Sequence, residues 1–125
     1  MNKIFKILLI SFLAFTGTCS AGEWYEGGTL TDRNAIAWQD ASLANKIASS
    51  ADFVAVMFQG SYLKPSISSN IKSVTDLAPY AIQVAICIDG STKKLADPEE
   101  NRKTFTNQKL SGMAATCTTL MGWMK

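Results

Sequence analysis

The feature that most constrains this chain lies at its N-terminus, where 21 residues have the composition of a secretory signal. A short cationic segment with Lys3 and Lys6 precedes an apolar run, Ile7 to Phe15, and a stretch of small residues that ends at Ala21. These are the three parts of an export signal, and the apolar run is shorter than the roughly 20 residues needed to span a bilayer. We therefore predict cleavage after Ala21, which leaves residues 22–125 to fold as one small domain.

A second interpretation makes Cys19 the lipid-modified first residue of a lipoprotein. Thr18 fits poorly before such a cysteine, and Gly17-Thr18 departs from the usual Leu-Ala/Ser-Gly/Ala order. Cleavage after Ala21 is therefore preferred. It would release the exported chain from the membrane, so we predict a periplasmic protein. No later segment is apolar and long enough to cross a bilayer, so we expect no integral membrane segment after signal cleavage.

The charge of the mature chain argues against nucleic acid as a partner. The full sequence has 12 basic residues, 10 acidic residues and no histidine. Removing Lys3 and Lys6 with the signal brings the net charge to zero, which gives no electrostatic reason to bind nucleic acid or an anionic membrane. The basic pairs Lys93-Lys94 and Arg102-Lys103 flank an acidic segment and are interpreted as part of a solvated loop. Within this polar stretch, Pro98 could start a helical turn.

Cleavage also removes Cys19 and leaves two cysteines, Cys87 and Cys117. In an oxidising compartment such a pair predicts one disulfide. Closing a loop of about 30 residues should stabilise the fold by roughly 3 to 4 kcal/mol. Two unpaired buried thiols are the alternative. A metal site is less favoured, because the chain has no histidine and no Cys-x-x-Cys pair.

The strongest helical pattern begins at Ser42. Apolar residues recur there at spacings of four, four, three and four, and Gly60 fits as a C-terminal stop. The recurring residues are Leu43, Ile47, Ala51, Val54 and Phe58. Small residues between them would let a second helix approach closely: Ala44, Ala48, Ser49, Ser50 and Ala55. The spacing predicts one long helix packed against a neighbour.

Weaker signals predict the flanking elements. Thr31 or Asp32 could cap a short helix over Asn34 to Gln39, and the segment Ser61 to Lys72 is predicted to be a loop. Ser73 and Asp76 resemble a capping box, after which one helical face would carry apolar residues. That face comprises Leu77, Ala81, Val84 and Ile88.

The last helix is expected to begin between Thr104 and Asn107. Its apolar seam would consist of Leu110, Met113, Ala114, Cys117, Leu120, Met121 and Met124. No alternating strand pattern of useful length appears. We therefore predict an all-α fold, a small three- to four-helix bundle in which an interhelical disulfide joins Cys87 to Cys117.

The chain lacks the residue sets that enzymes use. It has no Ser/His/Asp or Cys/His set, and Gly27-Gly28 is not followed by the Lys-Ser/Thr of a phosphate-binding loop. Carboxylates remain that could serve a glycosidase, but none has a recognisable setting. We expect a protein without enzymatic activity, cofactor or metal.

Five residues are candidates for binding a partner. The N-terminal arm, residues 22–30, carries Trp24 and Tyr25, and Trp123 stands near the other end. Asn45 and Asp52 lie seven residues apart on the long helix and so share a face. The alternative is structural: the rings would pack on the body, and Asp52 would face solvent or accept a hydrogen bond from the arm.

Several short motifs look like those of a group of small exported bacterial proteins. The motifs are Trp24-Tyr-x-Gly-Gly-Thr-Leu30, Trp38-x-x-Ala41, Asn45-Lys-Ile-Ala48, Ala51-Asp52, Cys87-Ile-Asp89 and Ala114-Ala-x-Cys117. This resemblance implies no activity. In architecture, the chain is also similar to the HdeA-type acid-stress chaperones of the periplasm. That similarity implies a short, exported, HdeA-like helical fold held by one disulfide between helices.

Two functional hypotheses follow. The first is a periplasmic protein that binds another protein, as an inhibitor or immunity-type partner of an envelope enzyme or toxin. The second is an HdeA-like chaperone that acts when low pH loosens the fold. The sequence leaves the oligomeric state open, with a dimer among the options.

Overall fold

The structure is a computed structural model that describes residues 22–125. The predicted signal, residues 1–21 with Cys19, lies outside the described residues. Within the described range the chain forms six α-helices and one 3-10 turn, Val74–Leu77. The helices are α1 (Ala35–Gln39), α2 (Leu43–Gln59), α3 (Pro65–Ser68), α4 (Ala78–Ser91), α5 (Pro98–Phe105) and α6 (Leu110–Leu120). Residues 22–125 contain two isolated β-bridges but no strand, which confirms the all-α prediction.

Capping side chains explain where α1 and α2 begin. The Asn34 side chain accepts a hydrogen bond from the backbone N–H of Ala37, so α1 starts after Asn34 and not after the predicted Thr31 or Asp32. The Ser42 hydroxyl accepts one from the N–H of Asn45, and Gly60 forms the C-cap of α2. Because both ends carry the expected caps, the prediction for the long helix is confirmed.

The segment between α2 and α4 is more ordered than the predicted loop. Pro65 begins the short helix α3, as proline readily does at the first helical position. Ser73 and Asp76 do form the predicted capping box, but around the 3-10 turn that precedes α4. Pro79 falls in the first turn of α4, where its missing N–H costs no helical hydrogen bond.

The predictions after α4 need correction. The segment expected to be a solvated loop contains helix α5, which begins after Asp97, whose side chain accepts a hydrogen bond from the N–H of Glu99. Arg102 and Lys103 lie in its last turn. Since α5 occupies the chain up to Phe105, α6 starts only at Leu110, later than predicted.

The bundle is built on α4, which packs against both α2 and α6. The disulfide between Cys87 and Cys117 joins α4 to α6, as predicted, with 6.1 Å between the Cα atoms. Of the small residues predicted to let a second helix approach, Ala48, Ser49 and Ser50 of α2 are buried and Ala55 is half-buried, whereas Ala44 is exposed. The largest fully buried apolar side chains are Trp38, Leu63, Ile88, Leu110, Val54 and Val84.

Helices α2 and α4 run antiparallel. Lys46, near the start of α2, contacts Asp89 near the end of α4, whereas Phe58, near the end of α2, lies beside Leu77 just before α4. This arrangement leaves a shallow groove on the outer side of the pair, at the start of α2 and the end of α4.

Candidate functional site

A groove with aliphatic walls lies between α2 and α4 and has a volume of about 370 Å³. Its lining residues are Leu43, Lys46, Ile47, Ile82, Ala85, Ile86, Asp89, Gly90 and Lys93. We call this surface the α2–α4 groove. Leu43 and Ile47 form one wall and Ile82 and Ile86 the other, each pair separated by four residues and therefore on one side of its helix.

The aliphatic side chains of this groove are unusually exposed. Leu43 is 70% exposed, Ile86 66% and Ile82 45%, although all three are large and apolar. Single exposed aliphatic residues are common on protein surfaces, but contiguous ones mark interaction sites. Because these three side chains line one depression, the groove is a candidate surface for binding another molecule.

One end of the groove is closed by a polar cluster around Asp89. Its Oδ1 accepts hydrogen bonds from Lys46 Nζ at 2.7 Å and from the indole Nε1 of Trp38 at 3.2 Å. The ammonium also lies 5.6 Å from the centre of the Trp38 ring, within reach of a cation–π interaction. These contacts join α1, α2 and α4 at a single carboxylate.

The environment of Asp89 lowers the pKa of its carboxyl. The hydrogen bond from Lys46 is the main cause, supported by the hydrogen bond from Trp38 and by the charges of Lys46 and Lys93. Partial desolvation acts in the opposite direction and is outweighed. Asp89 is therefore ionised at neutral pH and balances the charge of Lys46.

Lys93 gives the same end of the groove a net positive charge. Among residues 22–125 the two ion pairs are Lys46–Asp89 and Lys94–Asp40, and neither involves Lys93. Lys93 is exposed and lines the groove beyond Asp89. A negatively charged group on a bound molecule would find a cation at this end.

Two predicted partner-binding residues, Asn45 and Asp52, lie where the N-terminal arm crosses α2. Asn45 Oδ1 accepts a hydrogen bond from the N–H of Thr29 at 2.9 Å, and its Nδ2 donates to the Thr29 hydroxyl at 2.8 Å. Asp52 borders Gly28: a Cβ atom on that glycine would lie 2.8 Å from Asp52 Oδ2. Partial burial raises the pKa of Asp52. The polar groups of Asn45 thus hold the arm in place.

The aromatic residues of the arm lie half-buried. Trp24 packs against the core, and its ring meets that of Tyr25 edge to face with 5.5 Å between centroids. Trp24 and Asn45 also border an open depression of about 700 Å³ beside the arm. The structure therefore brings four of the predicted residues, Trp24, Tyr25, Asn45 and Asp52, to the arm and the helix beneath it.

Trp123 lies apart from the other four candidates. It is 7% exposed, belongs to the core and meets the Tyr80 ring edge to face with 5.2 Å between centroids. Its position indicates a packing role. Leu120, predicted on the buried seam of the last helix, is in contrast 78% exposed.

The α2–α4 groove was not predicted, although the sequence carries a signal for it. Ile82 and Ile86 are spaced by four and lie beside the predicted buried face of α4, which holds Ala81, Val84 and Ile88. A second apolar stripe next to a buried one indicates a surface that the chain itself does not cover. Leu43 was assigned to the buried face of α2 but lies at its exposed edge.

Two other kinds of site are absent from the described part of the chain. Residues 22–125 hold no group of three or more Cys, Asp or Glu side chains placed to bind a metal ion. None of the helices in that range is long and apolar enough to cross a membrane.

In comparisons with known proteins, the chain matches no family model, no curated protein and no solved structure.

Proposed function

We propose that this is an exported, non-enzymatic protein of the periplasm that binds another protein in the α2–α4 groove. The observation that carries the proposal is the exposure of Leu43, Ile82 and Ile86 along one depression. Burying a fully exposed side chain of this kind contributes roughly 1.5 to 3 kcal/mol. Because these three are 45 to 70% exposed, a partner would recover part of that for each. An inhibitor or immunity-type partner of an envelope enzyme or toxin would use a surface of this kind.

Two features support an exported location. The first 21 residues have the composition of a secretory signal, and Cys87 and Cys117 form a disulfide between helices. Structural disulfides persist in oxidising compartments and are rare where thiols are kept reduced. The bundle therefore suits the periplasm.

Site-specific photo-cross-linking in living cells tests the proposal. A photoreactive amino acid placed at Ile86 should yield one discrete protein adduct in the envelope fraction. The matched control places the same amino acid at Leu120, which is also exposed but lies outside the groove. No adduct at Ile86, or the same adducts at both positions, would contradict binding at the groove.

A second candidate, an acid-stress chaperone, is favoured by the position of Asp89. This one carboxylate joins α1, α2 and α4, whereas a covalent bond joins α4 to α6. Protonation of Asp89 in acid would weaken its hydrogen bonds to Lys46 and Trp38 and leave the Cys87–Cys117 disulfide intact. The helices could then move apart while α4 and α6 stay joined.

The two candidates differ in how the surface responds to acid. A chaperone should bind an apolar dye reversibly only below the reference carboxyl pKa of about 3.9, because the pKa of Asp89 is lowered, and it should then suppress aggregation of unrelated proteins. A dedicated binding protein should show neither effect. Dye fluorescence across a pH series, with the disulfide intact, separates them.

A further inference from the structure

We infer that the occupant of the α2–α4 groove is an amphipathic α-helix of another protein, with an acidic residue placed against Lys93. The inference rests on the proposed function and specifies the chemistry of the partner. Three properties of the groove carry it: the spacing of its aliphatic walls, the absence of a strand edge among residues 22–125, and the sign of its uncompensated charge.

The spacing of the walls matches a helix. Leu43 and Ile47 on one side and Ile82 and Ile86 on the other are each separated by one helical turn, a rise of about 6 Å. A helix laid between them presents its own apolar residues at i, i+4 and i+7 with the same repeat. Its side chains would therefore meet the four aliphatic residues in register.

An extended peptide lacks the contacts that it would need here. Extended peptides bind mainly by adding a strand to the open edge of a sheet. Residues 22–125 contain no strand, and the groove is walled by two helices whose backbone groups bond within each helix. A helical ligand satisfies its own backbone and requires only side-chain contacts.

The charge at the end of the groove selects an acidic helix. Asp89 is bonded to Lys46 and Trp38, which leaves Lys93 as the uncompensated cation. A carboxylate on the partner would be attracted to Lys93. The acidic residue should therefore lie at the end of the bound helix that reaches Lys93.

A second copy of this chain suits the groove less well. Its corresponding face offers Asp89 as the carboxylate, and that group is already bonded within its own protomer. Three exposed aliphatic side chains also provide far less than the ~800 Å² per partner that a stable dimer buries.

Selection from a library of peptides tests which kind of ligand the groove accepts. The probe is a phage-displayed library of 15-residue peptides with leucine fixed at i, i+4 and i+7 and the other positions randomised. Against the mature protein, selection should enrich Asp or Glu at one end of the peptide. Against Lys93→Glu, this enrichment should disappear or turn to Lys and Arg.

Affinities of one selected peptide complete the test. Ile86→Asp should weaken binding by at least about tenfold, because it places a charge among the aliphatic contacts. Lys93→Glu should weaken it about fivefold or more at low salt and less at high salt. Leu120→Asp, the matched control outside the groove, should leave the affinity unchanged.

Three results would overturn the inference: peptides without an acidic preference, equal binding to Ile86→Asp, or a dimer in sedimentation that Ile86→Asp dissociates. The last would make a second copy the occupant. A discrete adduct at Ile86 with a different protein, together with either of the first two results, would reject the helical partner and leave the proposed function standing. Peptide binding without an adduct in cells would instead contradict the proposed function.

Discussion

The backbone N–H of Leu30 donates a hydrogen bond to Ser49 Oγ across 3.1 Å, and both residues are buried. The same hydroxyl donates to Asn45 Oδ1 at 3.1 Å. Ser49 therefore anchors the end of the N-terminal arm to α2. Its neighbour Ser50 is equally buried, but its hydroxyl has no hydrogen-bond partner among the described residues.

The two adjacent serines should respond oppositely to alanine. Ser49→Ala leaves the buried N–H of Leu30 unpaired and should lower the free energy of unfolding by about 1 to 2 kcal/mol. Ser50→Ala removes an unpaired buried hydroxyl and introduces a better helix former, so it should raise that free energy by about 0.5 to 1 kcal/mol. Urea unfolding of both variants measures the two changes in the free energy of unfolding. Equal changes would contradict the conclusion that, of the two serine hydroxyls, only that of Ser49 holds the arm.

Gly28 should tolerate no side chain. A Cβ atom there would lie 2.8 Å from Asp52 Oδ2 and 2.8 Å from the backbone nitrogen of Ser49, closer than atoms in van der Waals contact. Gly28→Ala should therefore displace the arm and cost about 1 to 3 kcal/mol.

The matched control is Gly112→Ala in α6, where an added Cβ meets nothing within 4 Å. Because alanine is the better helix former, that variant should be more stable by about 0.5 to 1 kcal/mol. Thermal unfolding of the two variants gives both values. A stable Gly28→Ala protein would show that the arm is not held at this contact.

Asp89 should make the stability of the fold depend on pH in acid. Its pKa is lower in the folded protein than in the unfolded chain, so the native state binds a proton less tightly. The resulting stabilisation is present above the unfolded value of about 3.9 and is lost as the pH falls through the folded value. Asp89→Asn should accordingly be less stable than the parent at pH 7, and the difference should shrink as the pH falls below about 3.9.

Denaturant unfolding at neutral pH and in acid measures this difference. Asp40→Asn serves as the control, because it breaks the other ion pair, Lys94–Asp40, in which both side chains are largely exposed. At pH 7 it should change the free energy of unfolding by less than about 0.5 kcal/mol. If the difference in free energy of unfolding between the parent and Asp89→Asn stayed constant with pH, the lowered pKa of Asp89 in the folded protein would be refuted.

The disulfide should contribute a large share of the stability. Cys87 and Cys117 are 30 residues apart, a loop for which chain entropy predicts roughly 3 to 4 kcal/mol. At about 4 to 8 degrees per kcal/mol, reduction should lower the melting temperature by well over about 10 degrees. Thiol titration before and after reduction, followed by calorimetry, tests this. Two reactive thiols in the untreated protein would contradict it.

Sequence reasoning succeeded where an apolar stripe coincides with capping residues. For α2, Ser42 and Gly60 delimit a run whose buried side chains include Ala51 and Val54. Periodicity and caps act locally, so the sequence alone contains the information. The disulfide was predictable for a different reason: with Cys19 assigned to the signal, two cysteines remain, and they have one possible pairing.

A helical turn starting at Pro98 was predicted, but the full length of helix α5 was not, because it has almost no apolar face. Asn101 and Phe105 are its buried residues, and Asn101 is held by tertiary contacts. Its amide exchanges two hydrogen bonds with the Gln39 side chain, at 2.8 and 3.0 Å, across 62 residues of sequence. Such pairing depends on the folded arrangement, and no periodic signal indicates it.

The groove was missed for a different reason, although Ile82 and Ile86 form a second apolar stripe on α4. Hydrophobic patterns identify which residues are apolar, but burial depends on whether a neighbouring element covers them. Ile86 is exposed because α6 packs on the other side of α4, where it is linked through the adjacent residue Cys87. Predicting which apolar residues of α4 stay exposed requires knowing which helices pack around it.

The disulfide also determines what a protease can release from this protein. It encloses residues 87 to 117, and the exposed Lys93 and Lys94 lie inside that loop. A trypsin-like cut after either lysine would divide the backbone between α4 and α5 while both fragments remain covalently attached. The nicked chain would migrate as one band without reductant and as two bands with it. Until reduction, α6 would stay attached to the fragment that carries Leu43, Ile82 and Ile86.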